Sequence, residues 1–313
     1  MDDTERIARR VKLHDFRILM SVVDGGSMSK AAERLGTSQP AVSRAIGDLE
    51  YALGVRLLDR SSRGVVPTPY GRAFIKRGIA IFDELKQGIR EIELLADPTA
   101  GEVRIAAPMA LATGFVAAAI DRFARQYPRM VCHLMVDRVE RTYSTLEERN
   151  ADLVIAFINA PIAEDHMEAE MLYVESQFVV AAATNPWSRR RGVTLEDLTK
   201  EPWALPPPDS MLGAAHAHIF RTAGLGPPAA TVLCASGVAR MGLVAAGRFL
   251  TIASETVLRF VGRDMAIKAL PINLPETQRW IGIITLKNRT LTPVAQRFIE
   301  CAREVARPLA TRK

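Results

Sequence analysis

Apolar positions between residues 27 and 54 recur at helical spacing in two runs separated by a break. In the first run Ala31, Ala32 and Leu35 mark one face, and two of them are small enough for a second helix to approach closely. Gly36 takes the turn. Thr37 or Ser38 then supplies a hydroxyl that caps the next helix by accepting a hydrogen bond from its free N–H groups. Pro40 falls in the first turn of that helix, where the missing N–H does no harm. Val42, Ile46, Leu49 and Leu53 follow at spacings of four, three and four, which is one buried stripe. The other face carries Ser38, Gln39, Pro40, Ser43, Arg44 and Gly47. It is short, polar and open, as a helix pressed against base edges must be. An ordinary helical hairpin within a core is the competing reading of the same pattern.

The period changes after residue 54. Residues 54–68 hold two short β-prone pieces around a basic, glycine-containing turn, which predicts a hairpin carrying Arg60 and Arg63. Arginines beside a helix-turn-helix suit phosphate or minor-groove contact. From residue 69 to 96 the pattern becomes heptad-like. Ile75, Phe82, Ile89 and Ala96 stand seven apart, interleaved with Gly78, Leu85 and Ile92. That seam lasts about three heptads and predicts a helix that pairs with a second copy through Ile75, Phe82, Leu85, Ile89 and Ile92. The helix would be about 40 Å long at ~1.5 Å per residue, enough to separate two domains. Packing on its own domain is the alternative, and heptads fit a globular face poorly. Asp97-Pro98-Thr99-Ala100-Gly101 ends the segment.

Strand and helix patterns alternate from residue 101 onward. Strands are predicted at 102–107, 130–136 and 151–157, with helices at about 109–127 and 142–149 between them. A long β-prone stretch at 172–183 leads into a second set of elements, including a helix at 211–222 and another at 237–246. Residues 280–286 and a last helix at 292–306 return to the first set. Alternation of this kind predicts an α/β domain around a mostly parallel sheet.

The N-terminal quarter resembles the winged helix-turn-helix of LysR-type transcriptional regulators. The resemblance rests on Ala31-Ala32, the run Ser38-Gln39-Pro40-Ala41-Val42-Ser43, Leu49-Glu50, Leu53-Gly54, the Arg60–Arg63 pair and Thr68 with Gly71. Leu58 departs from the family's usual Phe and exchanges one core side chain for another. Asp152-Leu153-Val154-Ile155 and Thr194-Leu195-Glu196-Asp197-Leu198 are looser echoes in the second half. The resemblance implies an N-terminal all-α winged helix-turn-helix (1–68), a linker and dimerisation helix (69–97) and a regulatory domain (101–313). The last is an α/β two-lobed periplasmic-binding-protein-like (type 2) effector domain. Its first lobe would take about 101–178 and 280–313, and its second about 179–279.

That framework assigns candidate sites. Gln39, Ser43 and Arg44, with Ser38 and Pro40, would lie closest to base edges or flanking phosphates of double-stranded DNA. Arg34, Arg60 and Arg63 would contact the backbone or the minor groove. In open α/β folds ligands settle at strand carboxyl ends, near helix N-termini whose free N–H groups favour anions. Pro108-Met109-Ala110, Phe157 with Asn159, Ser210-Met211 and Ala235-Ser236 occupy such places. Many relatives carry Ser or Thr just after the first strand to hold a carboxylate. Met109 and Ala110 offer only backbone donors, which implies an aromatic or partly apolar acid as the small-molecule effector, unless Met109 is simply core. The family's homodimers commonly assemble further into homotetramers and act on RNA polymerase.

Charge placement agrees. Residues 1–77 hold 14 Lys and Arg against 9 Asp and Glu, so nearly all of the net +6 sits on the helix-turn-helix quarter. Residues 1–12 are charged, and no run approaches the ~20 apolar residues of a membrane span, so a soluble cytoplasmic protein is expected. Cys132, Cys234 and Cys301 lack metal-ligand spacing and read as buried hydrophobes; a redox pair of Cys132 and Cys234, as in one branch of the family, is the alternative. His216 and His218 stand two apart, so on a helix they point about 200° apart and share no metal. No Gly-x-Ser-x-Gly elbow, phosphate loop or paired carboxylates suggest an enzyme, and no metal or cofactor is expected. A transport solute-binding protein would fit the second half alone, against the basic first quarter.

Overall fold

A computed structural model describes residues 3–61, 64–137, 139–158, 166–262, 265–275 and 277–310. The chain forms two compact units, residues 1–89 and 90–313. The first contains α1 (Asp3–Ala8), α2 (Leu13–Gly25), α3 (Met28–Leu35) and α4 (Gln39–Leu53). The antiparallel hairpin of β1 (Leu58–Ser61) and β2 (Gly64–Pro67) follows, then the start of α5 (Pro69–Ala96). Ser27 caps α3 by accepting from the Lys30 N–H, and α3 ends where Gly36 adopts φ 62°, a left-handed conformation that costs other residues energy. Of the two hydroxyls available to α4, Ser38 is the cap, accepting from the Ala41 N–H. Val42, Ile46 and Leu49 are buried against Leu19, Val22, Ala31 and Ala32, while Leu35 and Leu53 are half-buried at the rim.

Thr68 and Gly71 join the wing to α5. The Thr68 hydroxyl donates to the Arg56 carbonyl at 2.7 Å and accepts from the Gly71 N–H at 3.0 Å. A Cβ on Gly71 would lie 2.0 Å from the Leu57 carbonyl oxygen, so no other residue fits there. Further along α5, Phe74 stacks on Phe16 with ring centroids 4.3 Å apart, and a Cβ on Gly78 would come within 2.6 Å of the Phe16 ring. The beginning of the predicted seam is thus committed to its own unit: Ile75 packs on the first core and Gly78 is buried under Phe16. Phe82 is half-buried. Beyond it, Leu85, Ile89 and Ile92 are exposed, together with Ile81 and Leu95.

The second unit begins with β3 (Gly101–Pro108), α6 (Met109–Leu111), a π-helical turn at Ala112–Val116 and α7 (Ala117–Gln126). Next come β4 (Met130–Asp137), α8 (Val139–Glu147), β5 (Leu153–Ile158), β6 (Met167–Glu175) and β7 (Gln177–Ala182). The chain continues through β8 (Trp203–Leu205), α9 (Met211–Thr222), β9 (Ala230–Leu233), α10 (Gly237–Ala245), β10 (Thr251–Ser254) and α11 (Glu255–Val257). A second π-helical turn at Leu258–Gly262, then β11 (Ile267–Ala269), β12 (Arg279–Leu286) and α12 (Pro293–Ala310), complete it.

A five-stranded sheet, ordered β4-β3-β5-β12-β6, forms one lobe. Period-two alternation sends Val103 and Ile105 to the face covered by α7 and α12, and Ala106 with Val154 to the face near α8. Four of its strands, β4, β3, β5 and β6, run in one direction as the mostly parallel expectation has it, and β12 alone is reversed, antiparallel to both neighbours. The cause is the double crossing: β6 leads out of this lobe and β12 leads back into it, so the two strands run oppositely. In the other lobe β7 pairs antiparallel with β10 and β11, and β8 pairs parallel with β9.

One buried ion network pins the first lobe. The Asp152 Oδ1 accepts from Arg104 Nη2 at 2.7 Å and Arg289 Nη2 at 2.8 Å, and its Oδ2 accepts from the Arg104 N–H at 2.8 Å. Arg289 Nη1 also donates to the Ala151 carbonyl. The lobes themselves meet where the two π-helical turns touch, with Gly114 against Thr256 and Phe260. Nearby, Tyr173 Oη and Thr256 Oγ1 lie 3.0 Å apart.

Candidate nucleic-acid interface and effector cleft

Ser38, Gln39, Pro40, Arg44 and Gly47 on α4 are exposed, and Ser43 is half-buried. The wing reaches this face: Arg60 Nη1 donates to Ser43 Oγ at 3.4 Å. Arg34 is exposed in the last turn of α3. Arg63 lies outside the described residues.

Glu50 has a role that local pattern does not reveal. Its Oε1 accepts from the Leu57 N–H at 2.7 Å and the Leu58 N–H at 3.1 Å, tying the end of α4 to the start of the wing. A carboxylate holding two main-chain donors is a charge-assisted pair of bonds. Glu50→Ala is expected to destabilise the first unit by about 1.5–3 kcal/mol. Far-UV circular dichroism during urea unfolding checks this, because Trp187, Trp203 and Trp280 report only on the second unit.

At the lobe junction Pro108 is buried, Ala110 is half-buried and Met109 is 46% exposed, so Met109 is not a core side chain. Met211 is also exposed, as are Ala235 and Ser236, while Phe157 is buried. Both serine hydroxyls cap helices. Ser210 Oγ accepts from the Gly213 N–H at 3.0 Å and Ser236 Oγ from the Ala239 N–H at 3.3 Å. Asn159 lies outside the described residues.

Around Phe157 the fold gathers residues that sequence reading missed. The Arg279 guanidinium sits 5.5 Å from the Phe157 ring centroid, a cation–π geometry. The Gln177 amide oxygen accepts from Arg279 at 3.1 Å, and the Glu175 carboxylate offsets its charge. Burial raises the Glu175 pKa above the usual carboxylate range, opposed by hydrogen bonds from Thr256 and Ser254 and by Arg279. Gln177 also lines a cavity of about 480 Å³ between the two crossing segments, with Ser176, Asn273 and Thr277. From the other lobe come His216 on α9 and Arg240 on α10, both buried. Burial holds the His216 pKa down to about 3, aided by Arg240 and Arg279. Arg240 was the one legible signal: it is the only charged residue in the apolar run 237–246.

Residues 13–72 match the bacterial regulatory helix-turn-helix protein, lysR family, and residues 96–307 match the LysR substrate binding domain. The chain belongs to the LysR family of transcriptional regulators. Among its relatives, YybE of Bacillus subtilis (strain 168), an uncharacterized HTH-type transcriptional regulator, is 30% identical over 273 residues. That match covers 87% of this chain and 91% of YybE. GltC of the same organism, a transcriptional dual regulator, is 30% identical over 299 residues, covering 93% and 96%. ArgP from Mycobacterium tuberculosis shares the fold with a TM-score of 0.71 at 17% identity, over 96% of this chain and 98% of that one. CbnR complexed with its target DNA shares it at 0.54 and 21% identity, over 95% and 100%.

As a LysR-type regulator the chain binds DNA through its first unit and carries a substrate-binding domain in its second; it is a regulator and not an enzyme. No helix among the described residues is long and apolar enough to cross a membrane. Cys132 of this regulator has Cys301 as its electrostatic neighbour, and burial pushes its thiol up to about 11, which leaves little thiolate at neutral pH. Among the described residues no group of three or more His, Cys, Asp or Glu is placed to hold a metal ion.

Proposed function

We propose that this regulator reads a dyad-symmetric DNA site as a homodimer, under the control of a small organic effector held between the lobes of its second unit. The open, polar N-terminal face of α4, with Arg60 beside Ser43, carries the DNA reading. That face enters the major groove, with Gln39, Ser43 and Arg44 at base edges or flanking phosphates. Ser38 and Pro40 flank them at the start of the helix. Arg34, Arg60 and Arg63 contact the backbone or minor groove. The dimer forms along α5, where Leu85, Ile89 and Ile92 are exposed with Ile81 and Leu95 on the same side. Withdrawing such side chains from water contributes of order 1 kcal/mol each. Dimers pair further into tetramers, act in the cytoplasm where their DNA lies, and regulate through contact with RNA polymerase.

The effector is an aromatic or partly apolar acid. Exposed Met109 and Met211, with Phe157 at the junction, support this chemistry. Its binding biases the relative orientation of the lobes, and through them the spacing of the paired helix-turn-helix units on DNA. The effector regulates only to the extent that it binds the two arrangements with different affinity.

Arg44 tests the DNA reading. Arg44→Ala is expected to weaken binding to a selected site by about 1–3 kcal/mol and to leave binding to random DNA of equal length nearly unchanged. A gel-shift titration at about 0.15 M salt measures both. Equal loss on the two DNAs would move Arg44 from a base edge to a phosphate.

A further inference from the structure

Among the described residues Arg240 is a buried cation without a carboxylate partner. It is 5% exposed, and its Nη1 donates to two main-chain carbonyls, Cys234 at 2.6 Å and Ala235 at 3.3 Å. Carbonyl dipoles solvate a guanidinium without neutralising it, and among the described residues no Asp or Glu pairs with Arg240. Arg279 differs, because Glu175 offsets its charge and the Gln177 amide oxygen accepts from it. Beside the two guanidiniums lies His216, 3% exposed, whose Nδ1 has no hydrogen-bond partner among the described residues. Burial and its cationic neighbours keep this imidazole neutral, so one of its ring nitrogens carries a proton to donate.

The two guanidiniums differ in their partners: Glu175 offsets Arg279, while among the described residues no carboxylate meets Arg240. Burying a charge without a partner is unfavourable well beyond what a single hydrogen bond returns. A fold keeps such a group where something else supplies the missing charge.

We infer that Arg240 and His216 form the anion subsite of the effector cleft. One carboxylate of the effector offsets the Arg240 guanidinium and accepts a hydrogen bond from the His216 Nδ1–H. The effector is then an organic acid with a single carboxylate, its remaining body against Phe157. A neutral ligand leaves Arg240 uncompensated, and a dicarboxylate brings a second charge with no cation to meet it. This inference rests on the reading that the effector binds between the lobes.

The test uses the full-length protein with acetate, small enough for any carboxylate subsite, and acetamide, its neutral counterpart, against chloride at constant ionic strength. Thermal unfolding is followed by tryptophan fluorescence, and the ring ¹⁵N signals of the five histidines by NMR. Acetate near tenfold over its Kd is expected to raise the unfolding midpoint by about 3 °C and to shift the His216 signal, with no effect of acetamide. Arg240→Met should abolish both responses without lowering the ligand-free midpoint, and Arg240→Lys should retain them about tenfold more weakly. The wild-type NMR measurement stands even where a variant fails to fold. A shifted His216 signal with undiminished acetate binding in Arg240→Met would overturn the subsite and leave the cleft reading intact. Absence of both responses in the wild type would also overturn the subsite. An Arg240-dependent rise with no shift at His216 would overturn the paired subsite, because the carboxylate would then meet Arg240 away from His216.

Discussion

Asp152→Ala is expected to destabilise the second unit by about 3–5 kcal/mol, the cost of leaving a buried charge without its partner. Asp152 is 3% exposed and its carboxylate holds Arg104 and the fully buried Arg289. The three residues join β3, the start of β5 and the turn between β12 and α12, so the network fixes strands that enter the sheet from distant parts of the chain. Domains of this size have only about 5–15 kcal/mol of stability in total, so the loss is a large share of it. Asp152→Asn keeps the shape and one acceptor but loses the charge, and is expected to cost less than the alanine. Urea unfolding followed by tryptophan fluorescence measures both, since all three tryptophans lie in this unit. A loss below about 1 kcal/mol in Asp152→Ala would mean that the arginines find compensation elsewhere.

Leu85→Asp combined with Ile89→Asp is expected to convert the regulator into a monomer and to lower its affinity for a two-half-site DNA by about 10²-fold or more. The DNA effect follows from effective concentration. A tethered second reading head binds its half-site as an intramolecular event, and losing the tether forfeits that gain without touching a single DNA contact. Each added carboxylate would also have to be desolvated in an apolar seam. Light scattering gives the mass, and a gel shift on single and paired half-sites gives the affinities. Affinity for the single half-site should be unchanged. A persisting dimer would place the contact away from the exposed stripe of Leu85, Ile89 and Ile92.

Local pattern carried far along this chain. The helices at Gln39–Leu53, Pro69–Ala96 and Met211–Thr222 have the bounds their caps and periods predict, because Ser38, Thr68 and Ser210 each place an oxygen where the first turn needs an acceptor. Three features were not legible, each for a physical reason. The short strands Trp203–Leu205, Thr251–Ser254 and Ile267–Ala269 are too brief to display a period, and the first two are buried throughout. The direction of β12 depends on a chain reversal more than a hundred residues after β5, which no window of sequence contains. The ionisable groups gathered at the lobe junction come from β6, α9, α10 and β12, so they meet only after the lobes form. The heptad seam was legible in spacing but not in allegiance. Phe16 takes up Gly78 and Phe74, and this draws the first turns of α5 into the first unit's core.

Glu50 illustrates how a motif can be read before its cause is known. The Leu49-Glu50 pair belongs to the pattern that resembles the family, and the structure supplies its reason in two main-chain N–H groups that would otherwise face a half-buried, water-poor corner. The start of the wing is thereby tied to α4, the helix whose Ser43 Arg60 meets.

Selection of bound fragments from a random double-stranded DNA library, with the purified full-length protein at about 0.15 M salt, tests whether this regulator reads base sequence as a dimer. Competing salt suppresses the sequence-independent part of the affinity, so that enrichment reports base reading. The expected result is a dyad-symmetric motif whose half-sites lie an integral number of helical turns apart, bound far more tightly than random DNA and losing discrimination at defined positions in Arg44→Ala. Fragments without a common motif, bound no more tightly than the starting library, would contradict it.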